Sequence, residues 1–238
     1  MDLERVPAGP ALTRRQAAVD IGLTIALVPV CAITANVVVA LLYAPDPPNL
    51  VIILFIQGLL TLAGVSVLLR WREQRFTEIG LRGPRGRDLP RAVMVLLAAI
   101  GANMALTLGV YAVSPQTIAD HLEGLQSVTA GLTADTPLGA ALALMLLVGF
   151  YEEIVARGVL LSRSRRLLGG VWPPVLFSAA LFGLAHVYQG PYGAVQTALL
   201  GAVLAAFTIR WGTLWPAILA HSAINMLAVV QLEDVPLP

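Results

Sequence analysis

Cysteine is almost absent from this chain of 238 residues. Cys31 stands alone, which excludes an intramolecular disulfide and a cysteine-rich zinc site. Its place in an apolar run reads as a buried, inert thiol. Charge is scarce as well. Only 12% of residues are charged and 58% are hydrophobic, too much apolar surface for a soluble domain of this size to hide. Lysine is missing altogether: all 15 basic residues are arginine, a bias that carries no structural inference by itself. A cleavable signal peptide is not evident either. The first 18 residues are polar, with Arg5, Arg14 and Arg15, and the apolar run after them is too long for a signal core and lacks a small-residue cleavage site. Period-two alternation, internal repeats, low-complexity tracts and a second soluble domain are all lacking, which argues against a membrane β-barrel and for one domain.

What remains is a series of long apolar segments. A spanning helix needs about 20 mainly apolar residues, and backbone groups in lipid must be satisfied internally, so helices are the default. The expected fold is all-α, a polytopic transmembrane bundle of about seven spans near 19–43, 50–69, 92–113, 137–160, 172–188, 192–209 and 213–231. Residues 1–18 form a cytoplasmic lead, 19–231 a single transmembrane domain with its motif-bearing core at 137–231, and 232–238 a short tail.

Arginine sets the expected orientation. Arg14 and Arg15 precede span 1; Arg70, Arg72, Arg75, Arg82, Arg85, Arg87 and Arg91 fill the 2–3 connection; Arg157, Arg163, Arg165 and Arg166 open the 4–5 connection; Arg210 marks the 6–7 turn. The alternate connections carry Asp46, Asp120, Glu123 and Asp135 and no arginine, and the end of the chain carries Glu233 and Asp234. This places the N-terminus in the cytoplasm and makes the protein a multi-pass resident of the cytoplasmic membrane. Trp71, Trp172, Trp211 and Trp215 fall at the same boundary, as an aromatic belt does. The basic 2–3 connection reads as a surface facing anionic lipid headgroups rather than nucleic acid. In the 3–4 connection Ile118, Leu122, Leu125, Val128 and Leu132 suggest an amphipathic helix lying on the outer surface, with His121 solvated beside Asp120 and Glu123. Thr136 reads as the N-cap of span 4, with Pro137 at the first helical position.

Among the 14 acidic residues only Asp20, Glu152 and Glu153 fall inside proposed spans. Asp20, at the edge of span 1, reads as an interfacial anchor. Ionisable groups deeper in a membrane are costly and mark function by default. Glu153 and Arg157 are four residues apart and share a helix face, fit for an ion pair. Glu152 points about 100° away and has Ala156 as its i+4 neighbour, so it has no built-in partner. It is the freer carboxylate, and in a wet, partly enclosed cavity it can act as general base toward water. A purely structural reading, a salt-bridged kink, stays open for Glu153 and Arg157. Two of the three histidines, His186 and His221, are also intramembrane, and Asn225 shares a face with His221. Small residues on span 5 (Ala179, Ala180, Gly183, Ala185) and span 6 (Gly201, Ala202, Ala205, Ala206) allow close helix approach. On these spans His186 lies near the outer end of span 5 and Glu152 in the inner half of span 4, yet one site requires one depth. An earlier start of span 5, or tilted or broken helices, reconciles them.

The pattern Glu152-Glu153-x-x-x-Arg157, Phe182-x-x-x-His186 and His221-x-x-x-Asn225, on three successive hydrophobic segments, resembles the signature of the CAAX protease and bacteriocin-processing family, also called the Abi family, which includes the type II CAAX prenyl endopeptidases. The resemblance covers roughly residues 92–231. It implies an intramembrane endopeptidase acting on a membrane-associated peptide or protein within the lipid bilayer. It further implies that Glu152 activates the attacking water, His186 helps to orient that water, Glu153 and Arg157 support the site, and His221 and Asn225 stabilise the developing oxyanion. Cofactor use stays open. The sequence His-Glu-x-x-His is absent, but His186, His221 and Glu152 could hold a catalytic zinc ion; a metal-free, glutamate-activated water is equally compatible. Two other classes compete: a non-catalytic immunity or accessory protein that binds a peptide or partner membrane protein, and a proton-coupled transporter, for which the inverted repeat is lacking.

Overall fold

The structure, a computed structural model, describes residues 12–44, 49–133 and 136–233. Arg5, Asp46, Asp135, Asp234, most of the N-terminal lead and most of the tail lie outside the described residues. Within them the chain is helical throughout, without a strand. The helices are α1 (Arg14–Tyr43), α2 (Leu50–Trp71), α3 (Asp88–Val113), α4 (Pro115–Thr133), α5 (Leu138–Glu153), α6 (Leu161–Leu168), α7 (Trp172–Leu184), α8 (Gly190–Trp211) and α9 (Trp215–Glu233). A π-helical stretch, Ile154–Leu160, joins α5 to α6 as one rod.

By length and composition, five helices are able to cross a membrane: α1, α2, α3, the 31-residue rod Leu138–Leu168, and Val187–Trp211. Two shorter apolar helices, Trp172–Leu184 and Trp215–Gln231, complete the set. Leu41, Leu97, Leu108, Leu176 and Leu184 are among many large apolar side chains left exposed, a surface suited to lipid and not to water. The molecule is an integral, multi-pass membrane protein.

Inside the bundle lies the rod. Every residue of Ile154–Leu160 is buried, Arg157 included, so neighbouring helices enclose this stretch on all sides. Ile154, Val155, Val159 and Leu160 pack with Ile21 of α1, Val65 and Leu69 of α2, and Leu214 and Ile218 around the start of α9. The rod ends at Gly169, whose φ of +67° suits a residue without a Cβ.

Several elements differ from the expectations above. Span 4 continues to Leu168, because Arg163, Arg165 and Arg166 ride on a continuous helix instead of a loop. Span 5 ends earlier, at Leu184. The 3–4 connection is the helix α4, but it is packed against the bundle: Ile118, His121, Thr129 and Leu132 are buried against neighbouring helices. His121 is therefore not solvated. Its Nε2 lies 3.0 Å from Gln196 Oε1 and its ring meets Tyr192 edge-on at 4.9 Å. The N-cap of α5 is Pro137, without a side-chain cap bond; Thr136 precedes it.

Asp20 is the largest departure. It is no interfacial anchor but is fully buried. Its Oδ1 accepts from Arg72 Nε at 2.8 Å and its Oδ2 from Arg163 Nε at 3.1 Å, and Arg163 also donates to Gln74 Oε1. One carboxylate thereby ties α1 to the end of α2 and to α6. Sequence spacing had no way to show this, since Arg163 lies 143 positions away.

Removing Asp20 strands two guanidinium groups in a mostly dry site, at a cost of about 3–5 kcal/mol. Asp20→Ala is expected to lower the melting temperature of the detergent-solubilised protein by roughly 10 °C, followed by tryptophan fluorescence. The exposed Asp120→Ala should leave it nearly unchanged.

Candidate active site

Glu153 ends α5 and Arg157 sits in the π-helical stretch. Arg157 Nη1 donates to Glu153 Oε1 at 2.6 Å, and both side chains are sealed from solvent. The guanidinium also lies over the ring of Phe182, 4.3 Å from its centroid. A π-helical turn displaces the i→i−4 ladder and frees carbonyl groups; Ser178 of α7 donates to one of them, Ala156 O, at 2.9 Å. Glu153 Oε2, Arg157 Nε and Arg157 Nη2 have no protein partner among the described residues.

His221, on α9, is brought into this pair. Its Nδ1 lies 2.9 Å from the same Glu153 Oε1, and its Nε2 lies 3.6 Å from Glu152 Oε2. A carboxylate accepts only, so Nδ1 carries the proton of the first contact. That bond fixes the ring and turns Nε2 toward Glu152. The second distance is beyond hydrogen-bond length. The two glutamates differ sharply in setting: Glu153 is fully buried, whereas the Glu152 side chain is 21% exposed.

His186 lies just past the end of α7. Its Nδ1 is 2.8 Å from Phe182 O. A backbone carbonyl only accepts, so Nδ1–H donates and Nε2 is the nitrogen left for another partner. The Phe182 ring is the common neighbour: His186 lies 4.8 Å from its centroid and His221 5.7 Å, edge-on. Asn225 sits one turn beyond His221 on α9, half-buried. Thus Glu152, Glu153, Arg157 and His221 form one cluster of direct contacts, Phe182 connects His186 to it, and Asn225 extends it along α9.

The depth question is resolved by the true helix ends. Leu168 and Trp172 are joined by a short turn, so they mark one level. Glu152 lies 16 residues before Leu168, about 24 Å along the rod. The 13 residues of α7 measure about 20 Å, and His186 follows two residues later. Both groups therefore reach the same level from that end.

Three glycines permit the approach. A Cβ on Gly149 would meet Ser222 N at 2.9 Å and Ser222 Cα at 3.0 Å, so α5 and α9 touch backbone to backbone beside His221. One on Gly183 would meet Ala194 O at 2.5 Å, and one on Gly201 would meet Arg157 Nη2 at 3.1 Å. Gly183 and Gly201 were visible as part of the small-residue pattern on the two spans. Gly149, Ser178 and Ser222 were not, because single small residues in apolar runs carry no periodic signal.

A zinc site of the three-ligand kind does not fit this arrangement. Among the described residues no three of His, Cys, Asp and Glu are grouped to hold a metal ion. His221 Nδ1 is engaged by Glu153 and His186 Nδ1 by the Phe182 carbonyl, which leaves Nε2 of each ring unspent.

Residues 134–227 match the family model described as Type II CAAX prenyl endopeptidase Rce1-like. The matched segment contains Glu152, Glu153, Arg157, His186, His221 and Asn225. No curated protein and no solved structure matches the chain.

Gly149→Ala drives a methyl group into the backbone of Ser222, which cannot yield without parting α5 from α9. Overpacking of this kind costs about 1–3 kcal/mol. Gly139→Ala on the same helix, where a Cβ meets nothing within 4 Å, is expected to be neutral or slightly stabilising. Thermal unfolding of the two variants side by side checks the difference.

Proposed function

We propose that this chain, whose residues 134–227 match the Rce1-like family model, is a membrane protease of that CAAX type and hydrolyses a peptide bond in a membrane-associated peptide or protein with a water activated by Glu152. Seven apolar helices cross the cytoplasmic membrane in this reading, and the arginine-bearing end faces the cytoplasm.

The observation that carries the proposal is the pairing of His221 with both glutamates. His221 Nδ1 meets the same Glu153 oxygen that takes Arg157, and its Nε2 faces Glu152. Nδ1–H of His221 is spent on Glu153, which leaves the Nε2 edge of the ring for the site. The partly exposed Glu152 remains available to a solvent molecule.

The reaction follows from these roles. Water enters beside Glu152, which takes one of its protons as the oxygen attacks the scissile carbonyl. His186 Nε2 accepts the other water proton in a hydrogen bond and aims the attacking lone pair. Negative charge develops on the carbonyl oxygen, where the Nε2 edge of His221 and the Asn225 side-chain amide stabilise it. The proton held by Glu152 then passes to the leaving amine. Glu153 and Arg157 touch no substrate; they hold the His221 ring in place.

General-base catalysis contributes about 10²–10⁴-fold. Glu152→Gln and His186→Ala are expected to abolish the appearance of a truncated product in the membrane fraction of cells making the protein, read by terminal-peptide mass spectrometry. Both variants should insert at normal levels. Identical product from Glu152→Gln would end the assignment.

A further inference from the structure

A basic pocket opens where α3 begins, at the arginine-bearing end and away from the glutamate–histidine cluster. Arg82, Arg85, Arg87 and Arg91 line it, together with Gly83, Asp88, Trp211 and Thr213. Four guanidinium groups face one carboxylate. Asp88 is buried and engaged, since its Oδ2 accepts from the Arg85 backbone N–H at 2.8 Å and its Oδ1 stands 3.7 Å from Arg91 Nη1. The side chains of Arg82, Arg85 and Arg87 have no acceptor partner among the described residues.

The walls of the pocket are built. Trp211 stacks on Phe207 at 4.9 Å, and the Arg91 guanidinium lies 5.1 Å from the Trp211 ring centroid. Trp215 Nε1 donates to Arg82 O at 2.5 Å, which pins the loop that carries the arginines. Gly80 O accepts from Leu214 N at 3.0 Å and ties the same loop to the start of α9. This is a positioned cradle rather than a free basic tail.

Along α3 the exposed side is apolar. Leu89, Val93, Met94 and Leu97, on its first turns, are 49–65% exposed, and Met94 and then Leu97 follow Arg91 at three-residue steps along its flank. Cationic groups above an open apolar strip match a molecule with an anionic head and a hydrocarbon tail.

We propose that this pocket binds the phosphate group of an anionic phospholipid, with the acyl chains against Met94 and Leu97. Arg85 and Arg87, exposed and unpaired, take the phosphate oxygens; planar guanidinium forks suit that geometry. Arg82 and Arg91 line the inner wall, and Trp211 sits at headgroup level. Free phosphate shares the head chemistry but has nothing to lay on the apolar strip.

The test uses the full chain, purified and reconstituted in phosphatidylcholine nanodiscs with or without phosphatidylglycerol. The readouts are retained lipid by native mass spectrometry and melting temperature. Wild-type protein should retain phosphatidylglycerol and melt higher in its presence, and the gain should shrink as salt is raised. Arg85→Ala with Arg87→Ala should weaken retention at least tenfold and leave the melting temperature in pure phosphatidylcholine unchanged. Arg70→Ala with Arg75→Ala removes the same charge from the same end, outside the pocket, and should retain the lipid. Equal loss from both pairs would reduce the effect to bulk charge and overturn the proposal. So would equal retention of phosphatidylcholine, or inorganic phosphate giving the whole stabilisation without lipid.

Discussion

A carboxylate and a guanidinium, Glu153 and Arg157, sit in contact where no water reaches them, and much of this protein is arranged to make that tolerable. An ion pair in such a place gains strongly from attraction but loses the hydration of both charges. The loss is offset by further partners: His221 on the same carboxylate oxygen and Phe182 under the guanidinium. The pair stands on α5 and its π-helical extension, and the two partners arrive on α7 and α9. The pair thus acts as the point where the bundle converges.

Convergence demands close backbones. Gly149 lets α9 reach α5, and Gly183 and Gly201 let α8 lie against α7 and the rod. In a bilayer, helices gain little from the hydrophobic effect on meeting one another, so small residues and polar contacts decide where they meet. The same packing leaves Glu152 partly open while Glu153 is sealed, although the two are adjacent in sequence. In the proposed reaction that asymmetry divides the labour: one carboxylate meets water, the other holds an imidazole.

The opposite use of charge appears at the arginine-bearing end. There Asp20 binds Arg72 and Arg163 inside the fold and fastens α1 to α2 and α6. Further along the chain, Arg82, Arg85 and Arg87 have no acceptor partner among the described residues, and Arg85 and Arg87 are exposed. Arginine serves both roles because its planar, permanently charged fork pairs as well with a buried carboxylate as with an external phosphate. A count of arginines per connection shows which end is basic, but it does not distinguish the two kinds.

Composition and hydropathy by themselves determined that this is an all-helical membrane protein, because so much apolar surface has no other stable home. Motif spacing nominated Glu152, Glu153, Arg157, His186 and His221, because ionisable groups in apolar runs are costly, and Asn225, because it shares a helix face with His221. Helix periodicity even paired Glu153 with Arg157, since both lie within one turn. Tertiary structure alone decided the rest. It buried Asp20 through a partner 143 residues distant, drew His121 into the bundle, carried the central rod on to Leu168 and shortened α7 so that His186 and Glu152 share one level. Local sequence encodes faces and turns, but contacts between distant helices depend on where each helix stops, and that is settled only when the helices pack.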